Sequence, residues 1–83
     1  MIRVGVVGDF NPSFHSHHAT HAALRHAGAE VEWVPTPAVR DDPEILARYD
    51  GIWLSPGSPY ASMEGALRAV EFARRRDWPF VGT

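Results

Sequence analysis

Apolar positions along this chain fall into short strand-like runs separated by stretches with helical spacing. The first run, Ile2–Val7, is largely β-branched and closed by Gly8-Asp9. Its apolar residues do not alternate with polar ones, so it predicts a strand covered on both faces, as in a parallel sheet. Gly8–Phe14 contains Asn11-Pro12 and reads as a loop. From His15 to Ala27 the spacing is helical. Ala19, Ala22, Ala23, Leu24 and Ala27 are available for one face, and Gly28 is placed to stop the helix. Glu30–Val34 alternates and predicts a second strand. Pro35–Arg40 reads as a loop. Asp42 suits an N-cap and Pro43 a first helical position, predicting a short helix to Arg48.

The third run, Gly51–Leu54, predicts a strand that breaks at Ser55–Tyr60, a turn with two prolines and a glycine. A helix follows from Ser62 to Arg76. Its expected inner face is Ala66, Leu67, Val70, Phe72 and Ala73, with Arg68, Glu71, Arg74 and Arg75 outside. Pro79–Val81 predicts a fourth strand ahead of Gly82-Thr83. The order βαβαβαβ, with crossover helices and no hairpin signal, argues an α/β fold with a doubly wound parallel sheet of flavodoxin-like type. Ligands of such sheets sit beyond the carboxyl ends of the strands. Here those ends are Gly8–Phe14, Pro35–Ala38, Ser55–Tyr60 and Thr83. The turn offers backbone N–H groups at Gly57 and Ser58 close to a helix start, a place suited to negative charge.

Composition narrows the function classes. Eighty-three residues allow one small domain. A domain of that size buries only about 60–65% of the surface its unfolded chain exposes. No cysteine is present, which excludes disulfides and zinc–thiolate sites. The formal net charge of −2 gives no electrostatic case for nucleic acid or an anionic membrane. The basic side chains are all arginine, and no apolar run approaches the ~18–20 residues of a membrane span. The N-terminus does not read as a signal peptide, so a cytoplasmic location is expected. A strand at Phe80-Val81 with nothing after it to cover it would be an edge liability. The expectation is therefore that residues 1–83 form the N-terminal part of a single larger domain.

Two motifs carry a family resemblance. SPGSPYASMEG followed by a helix and then WPFVGT resembles the glutamine amidotransferase domain of CTP synthases. There a PGG-type loop precedes a helix that starts with Glu-Gly, and the next strand ends in a Gly-x-Cys nucleophile elbow. The opening IRVGVVGDFNPSFHSHHATHAAL is similar to a stand-alone family, the CTP synthase C-terminal-region-related (seleno)proteins, with a GD[FY]NP loop and a His near the first helix. The resemblance spans the whole chain and implies class I glutaminase chemistry. A Cys thiolate attacks the glutamine carboxamide, a His held by a Glu serves as its base, and backbone N–H groups hold the oxyanion. By position, Gly57 and Ser58 fall in the oxyanion loop and Gly82-Thr83 lead into the elbow. The nucleophile would be a Cys or selenocysteine just after Thr83, the latter encoded by a TGA codon that can be read as a stop. The catalytic His and Glu would lie further on. His17 matches the family His, and Tyr60, Glu64 and Asp9 are further candidates for substrate contact. Ser58 stands where CTP synthases have Gly, and Pro59-Tyr60 where they have a longer Gly-rich turn; both changes stiffen the loop. With no synthetase segment before Met1, glutamine hydrolysis is implied rather than CTP synthesis. The implied partner is a small molecule, glutamine or an analogue, with no cofactor; a homo-oligomer is left open.

Other readings compete. His17 and His21 are one helical turn apart, but no third ligand is placed beside them, so no metal is expected. GDFNPSFHSHH resembles the GxFxPxHxGH loop of nucleotidyltransferases, with His15 and His18 as the phosphate contacts. There His17 replaces a Gly needed for close phosphate approach. Gly5 and Gly8 lack the rest of a dinucleotide fingerprint. Trp33, Trp53 and Trp78 suit the core. Asp9 suits a loop cap, Glu64 suits the positive end of a helix, and Arg74–Arg76 suit its negative end. A non-catalytic binding module on the same fold is the main alternative to the enzyme.

Overall fold

The computed structural model describes residues 1–55 and 60–82. Four parallel strands, β1 (Arg3–Val7), β2 (Glu30–Val34), β3 (Gly51–Leu54) and β4 (Phe80–Gly82), pair in the order β2-β1-β3-β4. The fold is the expected α/β type with a flavodoxin-like strand order. Val6 pairs in register with Trp33 on one side and Trp53 on the other, and Val7 with Val34 and Leu54. Because side chains alternate along a strand, Val7, Val34 and Ile52 face one layer, and Val6 and Trp33 face the other.

The first layer holds the core. Val7, Val34 and Ile52 meet Val39, Leu46, Tyr49, Ala69 and Phe72. These come from α2 (Thr36–Asp41), a 3-10 helix η1 (Pro43–Arg48) with Tyr49 as its C-cap, and α3 (Met63–Arg76). The second layer is α1 (His15–His26), packed along β2.

Several sequence expectations need correction. Residues 35–40 are mostly helical. Two prolines suggested a loop, but Pro35 is the N-cap and Pro37 lies in the first turn, where a missing N–H costs nothing. The short helix after Asp42 is of the 3-10 type, with the Asp42 carboxylate accepting the Glu44 N–H. In α3 the buried stripe is Gly65, Ala66, Ala69, Phe72 and Ala73, while Leu67 is 61% exposed. In α1 the alanines Ala19, Ala22, Ala23 and Ala27 are exposed, and the buried residue is His17. Gly28 does follow the end of α1 with φ +92°, a left-handed conformation that glycine adopts without strain.

Candidate functional site at the carboxyl ends of the strands

The loops after β1, β2 and β3 converge on one carboxylate. Asp9 follows β1. Its Oδ1 accepts the Thr36 N–H at 3.0 Å. Its Oδ2 accepts the Thr36 hydroxyl at 2.7 Å and the Ala61 N–H at 2.8 Å. Thr36 is fully buried at the start of α2, and its Oγ1 accepts the Ser62 N–H at 2.8 Å. Ser62 then caps α3, its hydroxyl accepting the Gly65 N–H at 3.1 Å. A single hydrogen-bonded relay, Asp9–Thr36–Ser62, thus ties β1 to the start of α2 and the start of α3.

Gly65 completes the junction. A side chain there would run into the Thr36 backbone carbonyl, so the first turn of α3 can lie against α2 only with glycine at this position. The relay fixes the chain at Ala61 and Ser62, after the segment 56–59. Before that segment the chain is fixed at Ser55, buried, whose N–H donates to the Val7 carbonyl at 3.0 Å. The two sides are then joined: the Tyr60 hydroxyl donates to the Ser55 carbonyl at 2.8 Å. Burial pushes the Tyr60 phenol up, with the Asp9 carboxylate adding to it.

The sequence-derived candidates divide among three places. Asp9 and Tyr60 come together at this edge. His17 lies on the α1 side of the sheet, 3% exposed, where its Nδ1 accepts the Asn11 N–H at 3.0 Å. Its ring sits 5.0 Å from Trp33 and 5.2 Å from Phe14. Glu64 is on the outer surface of α3 and pairs with Arg68 at 2.9 Å. Gly82 ends β4 and is exposed. Gly57, Ser58 and Thr83 lie outside the described residues. Among the described residues no group of three or more His, Asp or Glu side chains could hold a metal ion. None of their helices is long and apolar enough to cross a membrane.

Thr36, Ser55 and Ser62 escaped the sequence reading. Thr36 left one signal, a hydroxyl residue just after a strand and just before a proline, the setting of a helix start. Ser62 left a similar one ahead of Met63-Glu64. Chemically, an ionised carboxylate offers about four lone-pair sites, and Asp9 spends three of them on internal donors. This arrangement orients backbone rather than moving protons.

Comparison with known proteins gives one consistent direction. No protein-family model matches the chain. Across 98% of its length it is 32% identical to a CTP synthase of Staphylococcus saprophyticus. The corresponding figures are 30% for a CTP synthase of Listeria monocytogenes and 29% for one of Staphylococcus aureus. The chain spans only 17% of the length of these relatives.

Proposed function

We propose that residues 1–83 belong to a class I glutamine amidotransferase-like domain related to that of CTP synthases, and that its reaction is glutamine hydrolysis with release of ammonia. The observation that carries this reading is the anchoring of the chain on both sides of residues 56–59, after β3. The position of that segment in the chain matches the oxyanion loop of the resemblance, and the likeness to CTP synthases runs through it. A turn that offers N–H groups to a developing oxyanion works only if its backbone is held before the reaction begins. The Asp9–Thr36–Ser62 relay and the Tyr60–Ser55 bond anchor the described residues on either side of that segment, which supports the reading.

In this reading Gly57 and Ser58 donate to the tetrahedral oxyanion. Gly82-Thr83 lead into the elbow, and a Cys or selenocysteine following them attacks the amide carbon. Its thiolate or selenolate adds to the carbonyl, ammonia departs with a proton from the catalytic His, and water releases glutamate from the acyl-enzyme. The test is ammonia release from glutamine, together with labelling by an electrophilic glutamine analogue, on the polypeptide that continues past Thr83. Both are expected. Absence of both, in protein shown to be folded, would leave the fold as a binding module. That second reading is favoured by one observation: His17, Glu64 and Tyr60 are each engaged with neighbours in different places.

A further inference from the structure

The part of the motif GDFNPSFHSHH that follows Asp9, Phe10 to His18, finds no use in the reading above, yet it helps to build a distinct feature. On the α1 side of the sheet, Phe10, His18, His21, Ala22 and Trp33 line a recess of about 560 Å³. This volume lies within the ~300–1,000 Å³ usual for small-ligand sites. Its walls are rings. Phe10 meets Trp33 edge-to-face at 5.0 Å and His18 edge-to-face at 5.4 Å. Phe10 is 43% exposed despite these contacts, so an aromatic surface stays open to solvent at the mouth. The fold holds the loop that carries it. The Asn11 N–H donates to buried His17, and the Ser13 N–H donates to the Asn11 side chain at 2.9 Å.

The polar character of the recess follows from which ring nitrogens are already taken. The Trp33 indole N–H donates to His21 Nδ1 at 3.0 Å. An indole nitrogen can only donate, so His21 accepts at Nδ1 and its neutral ring carries the proton on Nε2. His18 Nε2 lies 2.7 Å from the Pro12 carbonyl, which can only accept. His18 therefore carries its proton on Nε2, and its neutral ring keeps Nδ1 as an acceptor. Neither remaining nitrogen, His21 Nε2–H or His18 Nδ1, has a partner among the described residues. The two histidines are three apart on α1, a spacing that makes their side chains neighbours. The residues that line the recess thus offer one free donor and one free acceptor, on neighbouring side chains, together with aromatic rings. It has no arginine in its lining, which disfavours phosphate or carboxylate ligands.

We propose that this recess binds a planar heteroaromatic ring with a carbonyl acceptor next to an N–H donor, the edge of a cyclic amide. The ring stacks on Phe10 with its edge towards Trp33, its carbonyl takes the His21 Nε2–H, and its N–H meets His18 Nδ1. This proposal does not rest on the glutaminase reading, since none of the lining residues belongs to the Asp9–Thr36–Ser62 relay.

The probe is 2-pyridone, the smallest stable ring with such an edge, with toluene as the ring without it. Nuclear magnetic resonance of the whole chain reads the Trp33 indole N–H and the histidine ring protons during titration. The expected result is a saturable shift of Trp33, His18 and His21 with 2-pyridone, at least tenfold tighter than with toluene. Phe10→Ala removes one stacking wall and should weaken 2-pyridone about tenfold. Ala22→Leu fills the recess and should abolish binding of both probes. His21→Phe should abolish the preference for 2-pyridone over toluene while retaining toluene. No saturable shift up to the solubility limit would overturn the proposal, as would equal affinity for the two probes. So would shifts at Trp33 that follow protein concentration alone, which would make the recess a self-association surface.

Discussion

At the scale of single residues, Asp9 carries more of the structure than its sequence context suggests. One side chain accepts three hydrogen bonds from two other loops. Bonds to a charged acceptor contribute about 1.5–3 kcal/mol each, and an orphaned buried donor costs about 1–3 kcal/mol. Asp9→Asn replaces one acceptor oxygen with an NH₂ group that faces an N–H or O–H donor. It is expected to destabilise the fold by about 2–3 kcal/mol in urea denaturation. Thr36→Val keeps the shape but orphans the Ser62 N–H, and should cost about 1–3 kcal/mol. The double variant should cost less than the sum, because both act through one relay. Additive losses would show that Asp9 and Thr36 work independently. The sequence offered Asp9 as a loop cap or a substrate contact. It could not show that Thr36, 27 positions away, would be the main partner, because that pairing exists only once β1 and β2 are side by side. His17 was legible as a residue of interest but not in its role, since its partner is a backbone N–H.

At the scale of elements, the strands and the two longer helices were legible from their spacing, although the alanines expected to form the inner face of α1 are exposed. Helix α2 was not. Six residues with a proline in the first turn give too little repeat to recognise, and its reason to be helical is the burial of Thr36 and Val39 under α3. The inner face of α3 was displaced for a related reason. Counting apolar residues put Leu67 inside, but close approach to α2 selects the small residues Gly65, Ala66, Ala69 and Ala73 instead. This contrast is testable. Gly65→Ala forces α3 away from the Thr36 carbonyl and should cost about 1–3 kcal/mol, although alanine is the better helix former. Leu67→Glu, on the exposed side, should stay within about 0.5 kcal/mol of the parent. Equal effects at the two positions, measured by urea denaturation, would contradict the packing described here.

At the scale of the whole molecule, the parallel sheet is buried unevenly. The α2–η1–α3 face holds the main core, while on the α1 side Val4, Leu24, Trp53 and Val81 line a shallow recess over β3 and β4. Stability therefore rests on one layer, and Tyr49 sits in it, 4% exposed. Burial, reinforced by the Glu32 carboxylate, pushes its phenol up to about 12, while Arg3 and Arg48 pull the other way. An unfolded tyrosine ionises near 10. The folded state thus favours the neutral phenol, and the stabilisation from keeping it neutral is complete below about pH 10 and lost as pH rises towards 12. Two pH units correspond to about 2–3 kcal/mol. Urea midpoints should fall steeply across that window in the parent chain. Tyr49→Phe should flatten most of the fall, since phenylalanine has no proton to lose and the Arg3 guanidinium, 5.6 Å from the ring centre, can still stack on it. Tyr60, also raised by burial, accounts for a smaller alkaline loss of the same sign, which Tyr60→Phe would remove separately. If Tyr49→Phe leaves the alkaline fall intact, ionisation in the main core is not what limits the fold at high pH, and the weak point lies on the thinly covered face instead.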